Sequence, residues 1–204
     1  GVKIYLSGLS MMDNSFGEAS LQDMKSLVPL MFMVVVIVLS IMLRSFSATF
    51  STVVIIAGAI LAGMGSMGWL GWKLTPPSSA APTIILTMAI ADAVHLLVTF
   101  LHNLRLGQDK KTAMSDSLRV NLQPIFITSI TTAIGFLTMN FSDVPPFHDL
   151  GNVVAIGVLV AFVLSITTLP ALMMVLPIHI GKPKEAPQTN NSMALLSSWV
   201  IQHY

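Results

Sequence analysis

Five long runs of apolar residues dominate this chain of 204 residues and limit what it can fold into. A helix needs about 20 predominantly apolar residues to cross the roughly 30 Å of hydrocarbon in a bilayer. The runs are close to that length or longer, and they are continuous rather than alternating, which argues against a transmembrane barrel. We therefore predict an all-α integral membrane protein, a bundle of five transmembrane helices at 27–43, 50–72, 81–101, 122–141 and 150–176.

The composition excludes several other classes of protein. Apolar residues make up 54% of the chain and charged residues only 9%, whereas a soluble domain carries about a quarter charged residues. Cysteine is absent, so the chain has no disulfide framework, no thiolate metal site and no cysteine nucleophile. A net charge of +1 indicates no nucleic-acid partner.

The basic residues predict the orientation of the bundle. Loops on the cytoplasmic side of a membrane protein carry an excess of Lys and Arg. Seven of the ten basic residues lie on one side of the predicted spans: Arg44, Arg105, Lys110, Lys111, Arg119, Lys182 and Lys184. We expect that side to be cytoplasmic, so that the N-terminal end of this chain is periplasmic or extracytoplasmic and its C-terminal end is cytoplasmic.

Both ends of the chain indicate further protein beyond them. Residues 1–26 begin with a strand-like alternation and continue as a polar lead-in, which favours the end of a periplasmic domain over a short ordered tail. Residues 177–192 are typical of a cytoplasmic linker, and 193–204 form an amphipathic segment that could lie at the interface or lead into another span. We predict a fragment of a longer protein.

Asp92 is the only carboxylate inside the five apolar runs, near the middle of the third. A charged side chain at the centre of a bilayer costs about 2.5–3.5 kcal/mol on insertion scales, and such residues usually serve ions or protons. The alternative is a neutral, hydrogen-bonded acid with a packing role, which an asparagine would fill at a lower cost. We therefore interpret Asp92 as a functional residue.

Helical spacing predicts a polar seam between the third and fourth spans. His95 follows Asp92 by about one turn, and the next span carries hydroxyls at Thr128, Ser129, Thr131 and Thr132. Gly135, on the same span, would allow close helix packing. Two simpler interpretations stay open: the hydroxyls could bond to the carbonyl one turn earlier, and His95 could be a packed imidazole bonded to Asp92.

The same residues favour catalysis and metal binding less. An intramembrane aspartyl protease needs two carboxylates, and these spans carry one. Asp92, His95 and a hydroxyl resemble a triad only on paper, because no strained turn presents the hydroxyl. His102, the third ligand that a metal would need, lies near the cytoplasmic end of its span. We expect neither an enzyme nor a resident cofactor or metal.

Three segments together resemble one family of transporters. They are MAIADAVHLL at 88–97, PIFITSITTAIGF at 124–136, and a third that runs from SDVPP at 142–146 to TLPAL at 168–172. In order and spacing they are similar to the MMPL-type branch of the RND (resistance–nodulation–division) superfamily, predicted lipid and hydrophobe exporters that are related to Patched and to sterol-sensing proteins.

The resemblance implies an architecture. RND proteins have twelve spans in two halves, with a porter domain after the first span of each. The five spans here would be the second to sixth of one half, taken as the first, with the second half of the same polypeptide as a partner. Residues 1–26 would end a porter domain.

The resemblance also implies roles for particular residues. Asp92 falls on the family's proton-relay aspartate, and Thr128, Ser129, Thr131 and Thr132 fall on the helix that supplies relay hydroxyls. Ala89 and Ala91 stand where the family usually has glycine, which still permits close helix packing. His95 would replace the tyrosine that often follows the aspartate, a position occupied here by Ala93.

The implied function is export of hydrophobic or lipid-like substrates across a bacterial inner membrane, driven by the proton gradient, with the proton as coupling ion. Its partners would be membrane lipids, the substrate and, in a homo-oligomer, further copies of the chain. Two alternatives share the fold: a sterol- or lipid-sensing protein that does not transport, and an accessory of protein translocation.

Overall fold

The computed structural model describes residues 8–72 and 74–178, and within these stretches the secondary structure is helical, without a strand. Short 3₁₀ turns, Pro77–Ala80 and Thr138–Phe141, precede the third helix and follow the fourth. The helices are α1 (Leu9–Leu43), α2 (Phe46–Leu70), α3 (Ala81–Arg105), α4 (Lys110–Leu137), α5 (Pro145–Ile166) and α6 (Thr168–Val175). Because α5 and α6 together make one span, five segments are long and apolar enough to cross a membrane. The predicted all-α bundle of five membrane helices is confirmed.

Two of the helices begin well before the apolar runs that predicted them. The polar lead-in that precedes residue 27 is the first half of α1, which runs without interruption from Leu9 to Leu43. Its 35 residues span about 52 Å at 1.5 Å per residue, which is much more than the hydrocarbon thickness. Inside it, Pro29 has no N–H to donate to the Lys25 carbonyl. The predictions for residues 1–7 and 179–204 lie outside the described residues.

The fifth span is divided at Thr167, where α5 ends and α6 begins. Pro170 explains the division, because it lacks an N–H and its ring crowds the carbonyl of Ile166 four residues earlier. Thr167 leaves the ideal helical geometry (φ −112°, ψ −65°), and its hydroxyl donates to the Val163 carbonyl at 2.6 Å. The span therefore continues in the same direction with one interrupted turn.

The helices pack around α5, which contacts α2, α3 and α4. The buried core lies on α2, α3 and α5, whereas α1 lies at the margin of the bundle against α2 and α3. The outer surface carries many exposed apolar side chains, including Ile41 and Leu61. On a membrane protein such side chains meet lipid rather than water.

Small residues let α2, α3 and α5 approach closely at one level of the bundle. A Cβ at Gly63 of α2 would lie 3.3 Å from the Cα of Gly157 on α5 and 2.6 Å from Cδ1 of Ile85 on α3. A Cβ at Gly157 would also meet the Ile85 side chain. Glycine at both positions leaves the space that Ile85 fills between the two helices.

We expect Gly63→Ala to destabilise the bundle by about 1–3 kcal/mol, because the added methyl overpacks this contact. Gly65→Ala is the matched control on the same helix, since a Cβ there would meet no atom within 4 Å. The control should unfold at or slightly above the wild-type temperature because alanine is the better helix former. Thermal unfolding in detergent micelles measures both, and equal midpoints would contradict the packing described here.

One end of the bundle, the basic end, carries Arg44, Arg105, Lys110 and Lys111. Side chains at this end bond to the ends of neighbouring helices. Arg105 Nη2 donates to the Leu43 carbonyl at the end of α1 at 3.4 Å, and Lys110 Nζ donates to the Leu176 carbonyl just after α6 at 2.9 Å. Both cations thus satisfy carbonyls at helix C-termini, where positive charge is favourable. The two contacts connect α3 to α1 and α4 to α6.

Asp109 caps the N-terminus of α4 at the same end. Its carboxylate accepts hydrogen bonds from the backbone N–H groups of Lys111 at 3.1 Å and Thr112 at 3.2 Å. The side chain and the backbone N–H of Thr112 hold the pKa of the Asp109 carboxyl below its ordinary value of 3.8. The cap lets α4 begin twelve residues before the apolar run at 122.

We expect Asp109→Ala to lower the melting temperature at neutral pH, because the first backbone donors of α4 lose their acceptor. Since the folded-state pKa is the lower one, the charged cap stabilises the fold fully above the ordinary pKa, and this is lost as the pH falls through the lowered value. Asp109→Asn keeps a capping oxygen without the titration. Its melting temperature should therefore fall less below pH 4 than that of the wild type, and parallel pH profiles would refute the assignment.

Candidate functional site

Asp92 lies in the interior of the bundle, where α3 meets α4. Its side chain is only 2% exposed, and the hydroxyl of the fully buried Ser129 on α4 donates a hydrogen bond to its Oδ2 at 3.3 Å. Asp92 is thirteen residues from the end of α3 at Arg105, which places it about 20 Å along the helix from the basic end. A carboxyl group is thus held deep in the membrane part of the fold by a hydroxyl from the next helix.

The connection between α3 and α4 explains why these two side chains meet. Only residues 106–109 separate the helices, so α3 and α4 run antiparallel as neighbours. On α4 the inward-facing positions recur every four residues, with Ser117, Asn121, Ile125 and Ser129 along one face. Ser129 on that face reaches the depth of Asp92.

A second group of polar contacts joins the helices nearer the basic end. The fully buried Ser117 hydroxyl donates to the Leu96 carbonyl at 2.6 Å, and Asn121 Nδ2 donates to Thr99 Oγ1 at 3.0 Å. The same Nδ2 lies 2.9 Å from the Ser117 carbonyl. Ser117 and Asn121 were missed by the sequence analysis because they precede the apolar run at 122. The available signal was that Ser117 and Asn121 precede Ser129 by multiples of four residues.

Two of the predicted relay hydroxyls bond to their own helix. Thr128 Oγ1 donates to the carbonyls of Pro124 at 3.0 Å and Ile125 at 2.9 Å. Thr131 Oγ1 donates to the carbonyls of Ile127 at 2.8 Å and Thr128 at 3.1 Å. Both threonines are exposed on the outer face of α4, whereas Thr132 is half-buried on the side nearer Ser129. The simpler interpretation, bonding to the preceding turn, therefore describes Thr128 and Thr131 here.

His95 is turned away from Asp92 and makes no hydrogen bond to it. The two positions differ by only about 60° around α3, but Asp92 contacts Ser129 of α4 while His95 faces residues of α1. There, His95 is the one polar residue in the lining of an apolar cavity of about 310 Å³ between α1 and α3. The cavity is lined by Val34, Val35, Val38, Leu39, Met42, Ile90, Ala91, Val94 and His95.

The predicted packing residues lie in three different environments. Ala89 is fully buried in the core that α3 shares with α2 and α5. Ala91 is exposed and lines the cavity beside His95. A Cβ at Gly135 would meet no atom within 4 Å, so none of the described helices packs closely against this position. Its role in close helix packing stays a prediction. Close approaches are seen instead at Gly63 and Gly157, and at Gly151 of α5, where a Cβ would overlap the Phe136 carbonyl of α4.

The sequence of this chain matches that of the MMPL family over residues 1–198. The chain belongs to the MMPL family. With its five membrane-crossing helices, it is an integral membrane protein.

Individual relatives are 23% to 25% identical to this MMPL chain and match most of its length. It is 24% identical to the protein MJ1562 of Methanocaldococcus jannaschii over 88% of its length, which is 46% of that relative. It is 25% identical to "Siderophore exporter MmpL5" and 23% identical to "Probable transport protein MmpL9", both of Mycobacterium tuberculosis, over 86% of its length. The chain spans about half the length of MJ1562 and 19% of each mycobacterial relative.

Because this chain contains no cysteine, paired cysteines can test the geometry of the site. We expect Asp92→Cys with Ser129→Cys to be joined rapidly by a short bifunctional thiol reagent, since the two side chains are in contact. Asp92→Cys with Thr131→Cys is the control, because Thr131 is on the outer face of α4. Mobility of a protease-cleaved sample on a gel reports the link, and equal linking of the two pairs would refute the placement of Ser129.

Proposed function

We propose that this chain is the transmembrane part of a proton-driven exporter of hydrophobic or lipid-like molecules. In this proposal Asp92 is the carboxyl group that takes up and releases the coupling proton. The observation that carries it is the buried contact between Asp92 and Ser129 at the centre of the bundle. Acidic residues in such a position are rare because of their cost, and they mark ion or proton pathways when they occur.

The Ser129 hydroxyl suits a carboxyl group that changes its protonation state. A hydroxyl can donate to an ionised carboxylate and can accept from a protonated carboxylic acid. The contact between α3 and α4 can therefore persist in both states while the charge between the helices changes. A change of charge in a low-dielectric interface alters the preferred packing of the two helices, which is how proton binding would drive movement.

Of the other predicted relay residues, Thr132 is the nearest candidate for a further hydroxyl, because it is half-buried on the side nearer Ser129. Thr128 and Thr131 would take part only after leaving their carbonyl partners on α4. We propose that their exposed face, together with Gly135, contacts the rest of the longer polypeptide or a second copy of it. In that case the relay is completed across this face.

We propose the orientation of the bundle from the charges at the ends of the helices. Arg44 lies between α1 and α2, while Arg105, Lys110, Lys111 and Arg119 lie at or near the connection from α3 to α4, at the same end of the bundle. This end would be cytoplasmic and the start of α1 periplasmic, with the bundle in a bacterial inner membrane.

The class of substrate is supported by the cavity and by the relatives. A cavity of about 310 Å³ with an almost entirely apolar lining suits a hydrocarbon chain. Two of the relatives are named as an exporter and a transport protein, and one of these names specifies siderophores. Hydrophobic or lipid-like molecules are the class that we propose for this chain.

The cavity also favours a second candidate function, a lipid-sensing protein that does not transport. His95 could donate a hydrogen bond to a lipid hydroxyl or carbonyl in the otherwise apolar lining. A sensor of this kind needs the cavity but not a proton cycle at Asp92. The two functions therefore differ in their response to Asp92→Asn.

We expect Asp92→Asn in the full-length protein to abolish proton-coupled export. The asparagine amide has nearly the same shape as the carboxyl group but does not take up or release a proton near neutral pH. Uptake of an exported fluorescent hydrophobe into inside-out vesicles under a pH gradient measures it. Asp116→Asn, at the basic end of α4, is the control and should export normally.

Wild-type export by Asp92→Asn would refute the proton relay. Lipid binding that is unchanged in Asp92→Asn but lost in His95→Ala, without export by the wild type, would establish the sensor instead. Equal expression and equal extraction in detergent show that each variant has folded.

A further inference from the structure

Between Asp92 and the basic end, the α3–α4 interface consists of three successive layers. The first is the contact of Asp92 with Ser129. One helical turn nearer the basic end, Leu96 on α3 and Ile125 on α4 are at most 2% exposed and belong to one apolar cluster. The third layer, formed by Thr99, Asn121 and Ser117, is polar again.

The polar layer is partly open where the apolar layer is closed. Thr99 and Asn121 are both half-buried, while Leu96 and Ile125 are almost completely buried. Thr99 lies seven residues after Asp92, or about 10 Å along the helix, which is the distance that a few hydrogen-bonded water molecules cover. The Thr99 hydroxyl donates to the His95 carbonyl at 3.2 Å, and Asn121 Nδ2 donates to Thr99 Oγ1 and to the Ser117 carbonyl. The Asn121 Oδ1 oxygen is an acceptor that can bind water, so the layer can order it.

The polar layer is also attached to the apolar layer through the main chain. The Ser117 hydroxyl bonds to the carbonyl of Leu96, and Asn121 Nδ2 bonds to the carbonyl of Ser117. A change in the hydrogen bonds of Asn121 would therefore be passed to the backbone that carries Leu96. Polar contacts that only hold two membrane helices together do not need this sequence of layers.

We propose that these layers form the cytoplasmic half of the proton route, with Leu96 and Ile125 as a hydrophobic gate that is closed in this structure. The inference rests on the proposed function, because it assigns a path to the proton of Asp92. A narrow apolar constriction excludes water and blocks conduction until it widens. Thr99 and Asn121 are positioning residues that hold water on the cytoplasmic side of the gate, and Ser117 joins this layer to the Leu96 carbonyl.

The transfer requires only water as a second reactant. When α3 and α4 separate slightly, a water molecule enters between Leu96 and Ile125. The O–H bond of the Asp92 carboxyl breaks, and its proton forms a new O–H bond with that water. The products are the carboxylate, which keeps the electron pair and accepts from Ser129, and a hydronium ion. The excess proton then passes along the water at Thr99 and Asn121 to the cytoplasm.

The gate is tested in the full-length protein, reconstituted in liposomes that contain a pH-sensitive dye. We expect Ile125→Ser to raise the passive proton leak at least about tenfold, because a hydroxyl lets water into the apolar layer. Ile127→Ser is the control, since Ile127 lies on the same helix and is 50% exposed on its outer surface. Adding Asp92→Asn to Ile125→Ser should remove the extra leak, because the proton would pass through the carboxyl.

The polar layer is tested with two variants at Asn121 that leave the apolar core intact. Asn121→Leu should slow proton-coupled export about tenfold, and Asn121→Ser should restore most of the rate because it again holds water. If Asn121 served only to hold the helices together, serine and leucine would differ in stability but not in the solvent isotope effect on export. We expect the isotope effect to rise in Asn121→Leu and to return to the wild-type value in Asn121→Ser.

The outcomes separate this inference from the proposed function. Export by Asp92→Asn overturns both. Loss of export in Asp92→Asn, combined with a wild-type rate and isotope effect in Asn121→Leu, overturns the route alone. A folded Ile125→Ser variant without a leak also overturns it, and if that variant does not fold, the Asn121 pair decides.

Discussion

The exclusion of water from the centre of the bilayer is the constraint on which this structure depends. Without water, every backbone polar group must find a partner within the protein, and helices are the way in which a single segment achieves this. The same exclusion applies to side chains. Asp92 is placed where a carboxyl group can reach only other protein groups, and the hydroxyl of Ser129 is the one that it contacts. Both the helical fold and the candidate site follow from that exclusion.

The apolar runs predicted the five spans and their order, because hydropathy measures which residues can face lipid. They did not predict where α1 and α4 begin, since a helix continues into a polar region for as long as its backbone is hydrogen-bonded. The start of α4 depends on a local signal, the Asp109 cap, and the break at Thr167 on another, Pro170. Both signals are visible in the sequence, but hydropathy does not record them.

The candidate site was predictable to the extent that it depends on helical spacing within one segment. Asp92 was recognisable because it stands alone in an apolar run, and Ser129 because hydroxyls cluster on the next span. Spacing could not show that Asp92 and His95 face different helices, because this depends on where α1 and α4 pack around α3. Hydropathy also does not single out Asn121 and Ser117, because they lie in the polar part of α4 that precedes its apolar run.

The length of α1 has a mechanical consequence. The segment from Val34 to Met42 forms one wall of the apolar cavity, and it belongs to the same helix as the residues that extend beyond the membrane towards Leu9. A helix of about 52 Å that tilts by roughly 5° about its inner end moves its outer end by about 4–5 Å. Unless α1 bends at Pro29, a tilt of its Leu9 end therefore changes the width of the cavity beside His95. A force on the Leu9 end of α1 would therefore open or narrow the cavity.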